Sequence, residues 1–314
     1  MTLNLMYSSR QAAYLTGDFR FTYSDGHSED DLSAQKLVPV IKYDWSALVS
    51  FCGVAKTSKG LDVGNWIAEQ SRPDILGEPF PDFLARLKRA ERWLSQMRGS
   101  NPVTISIVGF RQKKPFVMCL SNYQDIEGNV FKSPSSQLQT FEFKTQRPYV
   151  RLFGDIQAVS HDEKFKLLWG LGRSTHEKTL DLLARVNRAA AGRSPTISEQ
   201  CLVGQLVPAG RGVIVPYGIN PEAGYMPGFV KRLLAAQGVD NLLLKTDAQG
   251  IPLKPGLRQI AFRTLDQTCF SVCEFHNVSA PVHTEETPAT ASRFFWKRNR
   301  AGNTVLTHVT GARR

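Results

Sequence analysis

The chain opens Met1-Thr2-Leu3-Asn4-Leu5-Met6-Tyr7-Ser8-Ser9-Arg10-Gln11-Ala12-Ala13-Tyr14-Leu15-Thr16-Gly17-Asp18-Phe19-Arg20-Phe21-Thr22, and this stretch decides the fold. Leu3 and Leu5 flank the polar Asn4, the period-two pattern of a strand with one buried face. Ser8-Ser9-Arg10-Gln11 is a polar turn, and Ala12 to Thr16 reads as the returning strand. Such a hairpin carries Gly17-Asp18 back to where the chain began. Thr2 follows the initiator methionine and is small enough for that methionine to be trimmed. Trimming would leave a threonine with both a hydroxyl and a free α-amine, which pairs a weak nucleophile with a base of its own.

Further on, Lys36 precedes the apolar run Leu37-Val38-Pro39-Val40, and Phe51-Cys52-Gly53-Val54-Ala55 reads as a strand entering a glycine turn. Asp18-Phe19-Arg20-Phe21-Thr22 follows Thr2 by 16 positions. In that order these pieces resemble proteasome β-subunits and related N-terminal nucleophile (Ntn) hydrolases, whose signature is D-x-R-x-T. The chain looks like a divergent, bacterial-type member. The resemblance implies an α+β fold, a four-layer αββα sandwich of two antiparallel sheets between helical layers. It covers residues 2–215 as one domain and leaves 216–314 as a Pro/Gly-rich and basic C-terminal extension, expected to pack on the same domain.

At 314 residues the chain can bury a substantial core in one or two domains. Apolar content of 42% and charged content of 21% are those of a globular protein. No apolar run is long enough for a membrane helix, and the start lacks a basic region followed by an apolar core, so a cytoplasmic protein is expected with no membrane contact. The five cysteines, Cys52, Cys119, Cys201, Cys269 and Cys273, have no C-x-x-C spacing and read as buried thiols in a reducing compartment. The net charge of +11 suits an acidic partner, an anionic substrate or nucleic acid. Part of it lies in the tail, where Arg293, Lys297, Arg298, Arg300, Arg313 and Arg314 interleave with Phe294, Phe295 and Trp296. Aromatic and basic residues so mixed can stack on bases and meet phosphates. The plain alternative is an aromatic strand docked on the body with its charges in water.

The middle of the chain alternates between strands and helices. Leu61 to Gln70 is predicted helical and stopped by Pro73, and Pro81 to Met97 carries a long apolar stripe of helical period. Val103 to Phe110 and Phe116 to Leu120 form a hairpin over the basic turn Arg111 to Lys114, followed by strands over Gln137 to Lys144 and Tyr149 to Phe153. His161 to Gly170 and Ser174 to Gly192 are helical, the second with Ser174 and Glu177 in capping-box spacing. Ser198 to Val207 and Gly212 to Val215 return to strand. Beyond them a short helix is expected at Phe229 to Gln237, with strands at Arg258 to Thr264 and Cys269 to Phe275.

The resemblance also implies a site. Thr2 Oγ would attack a carbonyl carbon while the Thr2 amine takes its proton. Lys36 would lie beside that amine and lower its pKa, Asp18 would hold Lys36, and the Gly53 N–H would face the oxyanion. Ser198 would stand in for the family's later serine, although Pro195 occupies the place of the aspartate that should precede it. The Asp18–Lys36 interval is also slightly longer than usual, with the acidic Ser28-Glu29-Asp30-Asp31 between them. No metal or cofactor is called for.

Three functions stay open on this evidence. The first is a threonine-type hydrolase of peptide or amide bonds, self-assembled into a homo-oligomer and served by an unfoldase or acidic partner. The second is an inactive relative serving assembly or interaction. The third is a nucleic-acid-associated protein working through the basic tail.

Overall fold

The computed structural model describes residues 2–31, 36–71, 77–95, 101–127, 129–131, 133–143, 148–171, 173–208, 210 and 212–218, together with the backbone of 257–263, 270–275, 293–298 and 304–309. The chain is mixed α/β with antiparallel sheets. In the opening hairpin, β1 (Leu3–Ser8) pairs with β2 (Ala13–Asp18), Met6 opposite Leu15 and Ser8 opposite Ala13. β3 (Arg20–Thr22) and β4 (Ser28–Asp30) form a small ribbon that takes up the acidic segment, and Arg20 pairs with Asp30 at 3.3 Å. Next come β5 (Leu37–Ile41), β6 (Trp45–Gly53), α1 (Val63–Ser71), α2 (Phe80–Lys88) and α3 (Ala90–Leu94). β7 (Val103–Arg111), β8 (Lys114–Ser121), β9 (Gln139–Phe143), β10 (Tyr149–Gly154), α4 (His161–Gly170) and α5 (His176–Ala191) follow. β11 (Cys201–Leu206), β12 (Gly212–Tyr217), β13 (Leu257–Arg263), β14 (Phe270–Phe275), β15 (Arg293–Arg298) and β16 (Thr304–Val309) complete the described elements.

One sheet has seven strands in the order β10-β1-β2-β11-β12-β14-β13, and another has five in the order β5-β6-β7-β8-β9. Period-two alternation sorts the first sheet's side chains into two apolar clusters. Met6, Ala13, Leu15, Phe153, Leu202 and Leu206 share one cluster with β5 to β8 of the second sheet. Leu3, Leu5, Tyr7, Tyr14, Val203 and Val215 turn the other way, onto Leu167, Leu180, Leu183, Val186 and Ala190 of α4 and α5. In β6, Leu48 faces the first sheet, where it comes so close to Gly204 that a Cβ there would press on it. Trp45 faces away, its ring 5.0 Å from Phe80 and 5.1 Å from Phe83 of α2.

Several local expectations need correcting. The stripe from Pro81 to Met97 is broken into α2 and α3, because the bonds Arg89 N–H to Arg86 O and Arg92 N–H to Arg89 O tighten the ladder to three-residue turns at Arg89. Met97 itself lies outside the described residues. The N-cap of α5 is Thr175, whose Oγ1 accepts from the Lys178 N–H, and not Ser174. The reciprocal capping box belongs to α4, between Ser160 and Glu163. β11 begins at Cys201, so Ser198 precedes the strand. The helix expected at Phe229 to Gln237 lies outside the described residues, as do Thr264 and Cys269. β13 and β14, from the region read as an extension, continue the seven-stranded sheet beyond β12. The aromatic segment Arg293–Arg298 pairs along its length with β16, and its side chains lie outside the described residues.

No helix among the described residues is long and apolar enough to cross a membrane. α4 nevertheless leaves Phe165, Leu168 and Trp169 exposed.

The β7–β8 turn is made by Gln112 and Lys113, both in the left-handed region at φ 49° and 64°. Two such residues in a two-residue loop match the strands' twist but disfavour side chains with a Cβ. Lys113→Gly is therefore expected to raise stability by about 0.5–1 kcal/mol, read as a higher denaturation midpoint at unchanged m-value.

Candidate active site

Three of the side chains singled out in the sequence come together at one end of the first sheet. Thr2 lies just before β1, Asp18 ends β2, and Lys36 immediately precedes β5. Lys36 Nζ donates to Thr2 Oγ1, to Asp18 Oδ1 at 3.0 Å and to the Arg20 carbonyl. An ammonium has three N–H groups, and here each has an acceptor. Asp18 is held as firmly: Oδ1 also accepts the Arg20 N–H at 3.1 Å, and Oδ2 accepts the Leu3 N–H at 3.4 Å. Thr2 and Asp18 are 0% exposed and Lys36 is 1% exposed, so water does not compete for these bonds.

Local sequence explains why they meet. Gly17 lets β2 pass under the Lys36 peptide, where an added Cβ would sit 3.0 Å from its carbonyl oxygen and 3.1 Å from Ser50 Oγ. The buried Phe51 ring lies 5.8 Å from Lys36 Nζ. Burial pushes the Asp18 carboxyl above the usual carboxylate range, while the Lys36 ammonium and the Leu3 and Arg20 N–H groups oppose that shift.

The other two positions sit differently. Gly53 ends β6 at φ 103°, with the Pro102 carbonyl where a Cβ would have to go. Ser198 is buried in the turn before β11: its Oγ accepts from the Gln200 N–H at 3.2 Å and its carbonyl from Asn187 Nδ2 at 2.9 Å.

A carboxylate that the sequence reading did not single out lies beside Thr2, held by Ser194 and Thr196. Asp155, directly after β10, donates its backbone N–H to the Thr2 carbonyl at 3.1 Å. Its Oδ2 accepts from Ser194 Oγ at 2.6 Å and Thr196 Oγ1 at 3.1 Å. Gly154 before it is at φ 88°, and a Cβ there would overlap the Thr2 carbonyl oxygen. A Gly-Asp pair closing a strand is the one sequence signal that could have drawn attention to it. Asp155 is remote from both Thr2 and Ser194 in the chain, and nothing local links them.

The described cysteines near the site are poor nucleophiles. Burial raises the Cys52 thiol to about 11, and burial together with the Asp18 charge raises Cys201, which lies across the ladder from Asp18. A thiol kept protonated attacks slowly. Among the described residues no three His, Cys, Asp or Glu side chains gather as metal ligands would.

The fold and site thus define a mixed α/β chain with a buried Thr–Lys–Asp cluster at the end of an antiparallel sheet. No protein-family model matches the sequence, and no curated protein matches it. Among solved structures, Anbu from Hyphomicrobium sp. strain MC1 is similar at TM-score 0.42 and 8% identity, over 65% of this chain and 82% of that one. Anbu (ancestral beta-subunit) from Yersinia bercovieri is similar at TM-score 0.43 and 8% identity, over 65% and 81%. Anbu from Pseudomonas aeruginosa, solved as a helical assembly, is similar at TM-score 0.40 and 12% identity, over 64% and 79%.

Removing one partner of a buried pair strands the other charge, at a cost of about 3–5 kcal/mol. Lys36→Met should lose stability by about that much. Adding Asp18→Asn to Lys36→Met should recover most of the loss. Denaturant titration of the two single variants and the double variant measures this coupling, and additive losses would contradict it.

Proposed function

We propose that the chain is an Ntn-type hydrolase with the four-layer αββα architecture, cleaving peptide or amide bonds through Thr2 after removal of Met1. The observation that carries this reading is the convergence of Thr2 Oγ1 and Asp18 Oδ1 on Lys36 Nζ.

In this reading the Lys36 ammonium stabilises negative charge on Thr2 Oγ as the hydroxyl loses its proton. The α-amine freed at Thr2 takes that proton and later returns it to the departing amine of the substrate. The amine must be neutral to act as a base, and a cation beside it favours the neutral form. Asp18 keeps Lys36 in place and balances its charge. The Gly53 N–H is assigned to the developing oxyanion, where one donor lowers the barrier by about 3 kcal/mol. Asp155 with Ser194 and Thr196 takes the part first sought at Ser198, fixing the backbone around Thr2. Assembly with further copies of the chain belongs to the same proposal, and the apolar side chains exposed on α4 support it.

A second reading has its own observation. Thr2 is wholly buried, and a sealed Thr–Lys–Asp cluster can also serve as a structural plug in an inactive assembly subunit. Nucleic-acid association through the basic tail is a third possibility, checked by the salt dependence of binding to mixed DNA or RNA.

Thr2→Ala is expected to abolish hydrolysis of peptide or amide substrates with the fold retained, and Thr2→Ser to keep part of it. Lys36→Ala should lower the rate nearly as far as Thr2→Ala, because the residues act as one unit. A non-removable N-terminal tag turns the amine into an amide and should also eliminate turnover. Full activity in the tagged protein, or an intact Met1 in the mass of an active preparation, would rule out this mechanism.

The rate should also fall as pH drops through the Asp18 pKa. Because that pKa is raised, the acid limb should lie above the ordinary carboxylate value of about 3.9.

A further inference from the structure

β10 is an edge strand of the seven-stranded sheet, yet its last residue is buried. Gly154 lies opposite Leu3 in the ladder, while the next N–H, that of Asp155, bonds back to the Thr2 carbonyl. The N–H and C=O of Gly154 face the other way, off the sheet's edge, where no strand among the described residues continues it. Buried peptide groups without partners cost about 1–3 kcal/mol each.

A single side chain meets both. Gln124, 1% exposed, donates from Nε2 to the Gly154 carbonyl at 3.2 Å and accepts the Gly154 N–H on Oε1 at 3.1 Å. Its amide thus replaces one residue of a missing neighbouring strand. Gln124 comes from the loop after β8, so this contact ties the second sheet to the first. That loop is itself anchored: Ser121 Oγ accepts the N–H groups of Tyr123 and Gln124, and Asn122 binds the Val103 N–H and the carbonyls of Asn101 and Ser135.

We infer that Gln124 is a positioning residue for Thr2. It fixes the Gly154–Asp155 peptide, and that peptide fixes the carbonyl of the proposed nucleophile. The inference rests on the hydrolase reading for its kinetic consequence, but the geometric coupling from Gln124 to Thr2 stands apart from it. Near the amide lie the titratable groups Cys52, Tyr123, Asp125 and Asp155, with Lys36 and Cys119 close enough to interact with Cys52. Burial raises the first two, which keeps them uncharged at working pH.

The test uses Gln124→Glu in the mature full-length chain. An ionised carboxylate still accepts the Gly154 N–H but repels the Gly154 carbonyl, whereas a protonated one restores both bonds. Near pH 8 the variant's kcat should fall on the order of tenfold or more with KM unchanged, since small misplacements of reacting groups have large rate effects. The ratio of variant to parent should climb toward one as the pH is lowered. Gln124→Ala should show the loss without the recovery. Amide hydrogen exchange at Gly154 and Asp155, compared with the parent at each pH, should quicken in Gln124→Glu near pH 8 and slow again at lower pH.

Unchanged exchange at both amides overturns the inference, and so does a rate loss that only follows the folded fraction. If the parent hydrolyses nothing, the hydrolase reading fails, and the exchange data alone decide whether Gln124 holds the Thr2 backbone. Should Gln124→Glu fail to fold, Gln124→Met keeps the volume, deletes both bonds and supports the same exchange measurement.

Discussion

A lysine ammonium shut away from water must have every N–H answered and its charge balanced, and at Lys36 that requirement shapes one end of the molecule. Its three acceptors come from the residue before β1, the last residue of β2 and the first residue of β3. Meeting all three fixes where the first sheet stops and how the chain crosses from it to β5. The backbone of Gly17 passes close to the Lys36 peptide and the ring of Phe51 lies beside the ammonium.

The local half of this arrangement is legible in the amino-acid sequence. Alternation of Leu3, Asn4 and Leu5 gives β1, and the polar turn after it gives the return, so the meeting of Asp18 with Leu3 follows from a short hairpin. Lys36 is singled out only through the resemblance, because Leu37 and Val38 are both apolar and both buried, and their pattern does not say which way the lysine points. What the sequence does not reveal is made by distant partners. Asp155 reaches Ser194 and Thr196 across α4 and α5, and Gln124 reaches Gly154 across two sheets. Neither contact leaves a periodicity or a fixed spacing behind. The helix break at Arg89 is hidden for another reason: the apolar positions on either side still fall on one stripe, and only the tightened hydrogen bonds show the change.

Glycines do their work here by letting backbones touch. At Gly154 the space a Cβ would take is filled by the Thr2 carbonyl and at Gly53 by that of Pro102, while at Gly204 a Cβ would press on the side chains of Leu37 and Leu48 of the second sheet. The first two lie at positive φ, so the missing side chain serves both conformation and contact. Between the sheets the polar side chains of Asn4 and Ser50 join at 2.9 Å, and Asn4 also binds the Thr16 carbonyl. Polar links inside an apolar layer specify one registration of the two sheets, where a wholly greasy layer would tolerate several.

The pairing of β1 with β10, Leu3 opposite Gly154, carries a consequence for how the chain is made. On the ribosome β1 is complete roughly 150 residues before its edge neighbour, an interval of about 8–30 seconds at ordinary rates of synthesis. During that time Asp18 can meet the Leu3 N–H through the hairpin, while the Thr2 carbonyl has no Asp155 to bind and the outer flank of β1 is open. β1 is thus made well before the strand that completes its pairing. A chaperone that shields an unpaired strand would act here during translation, and a chain cut short before β10 would present that flank to its neighbours.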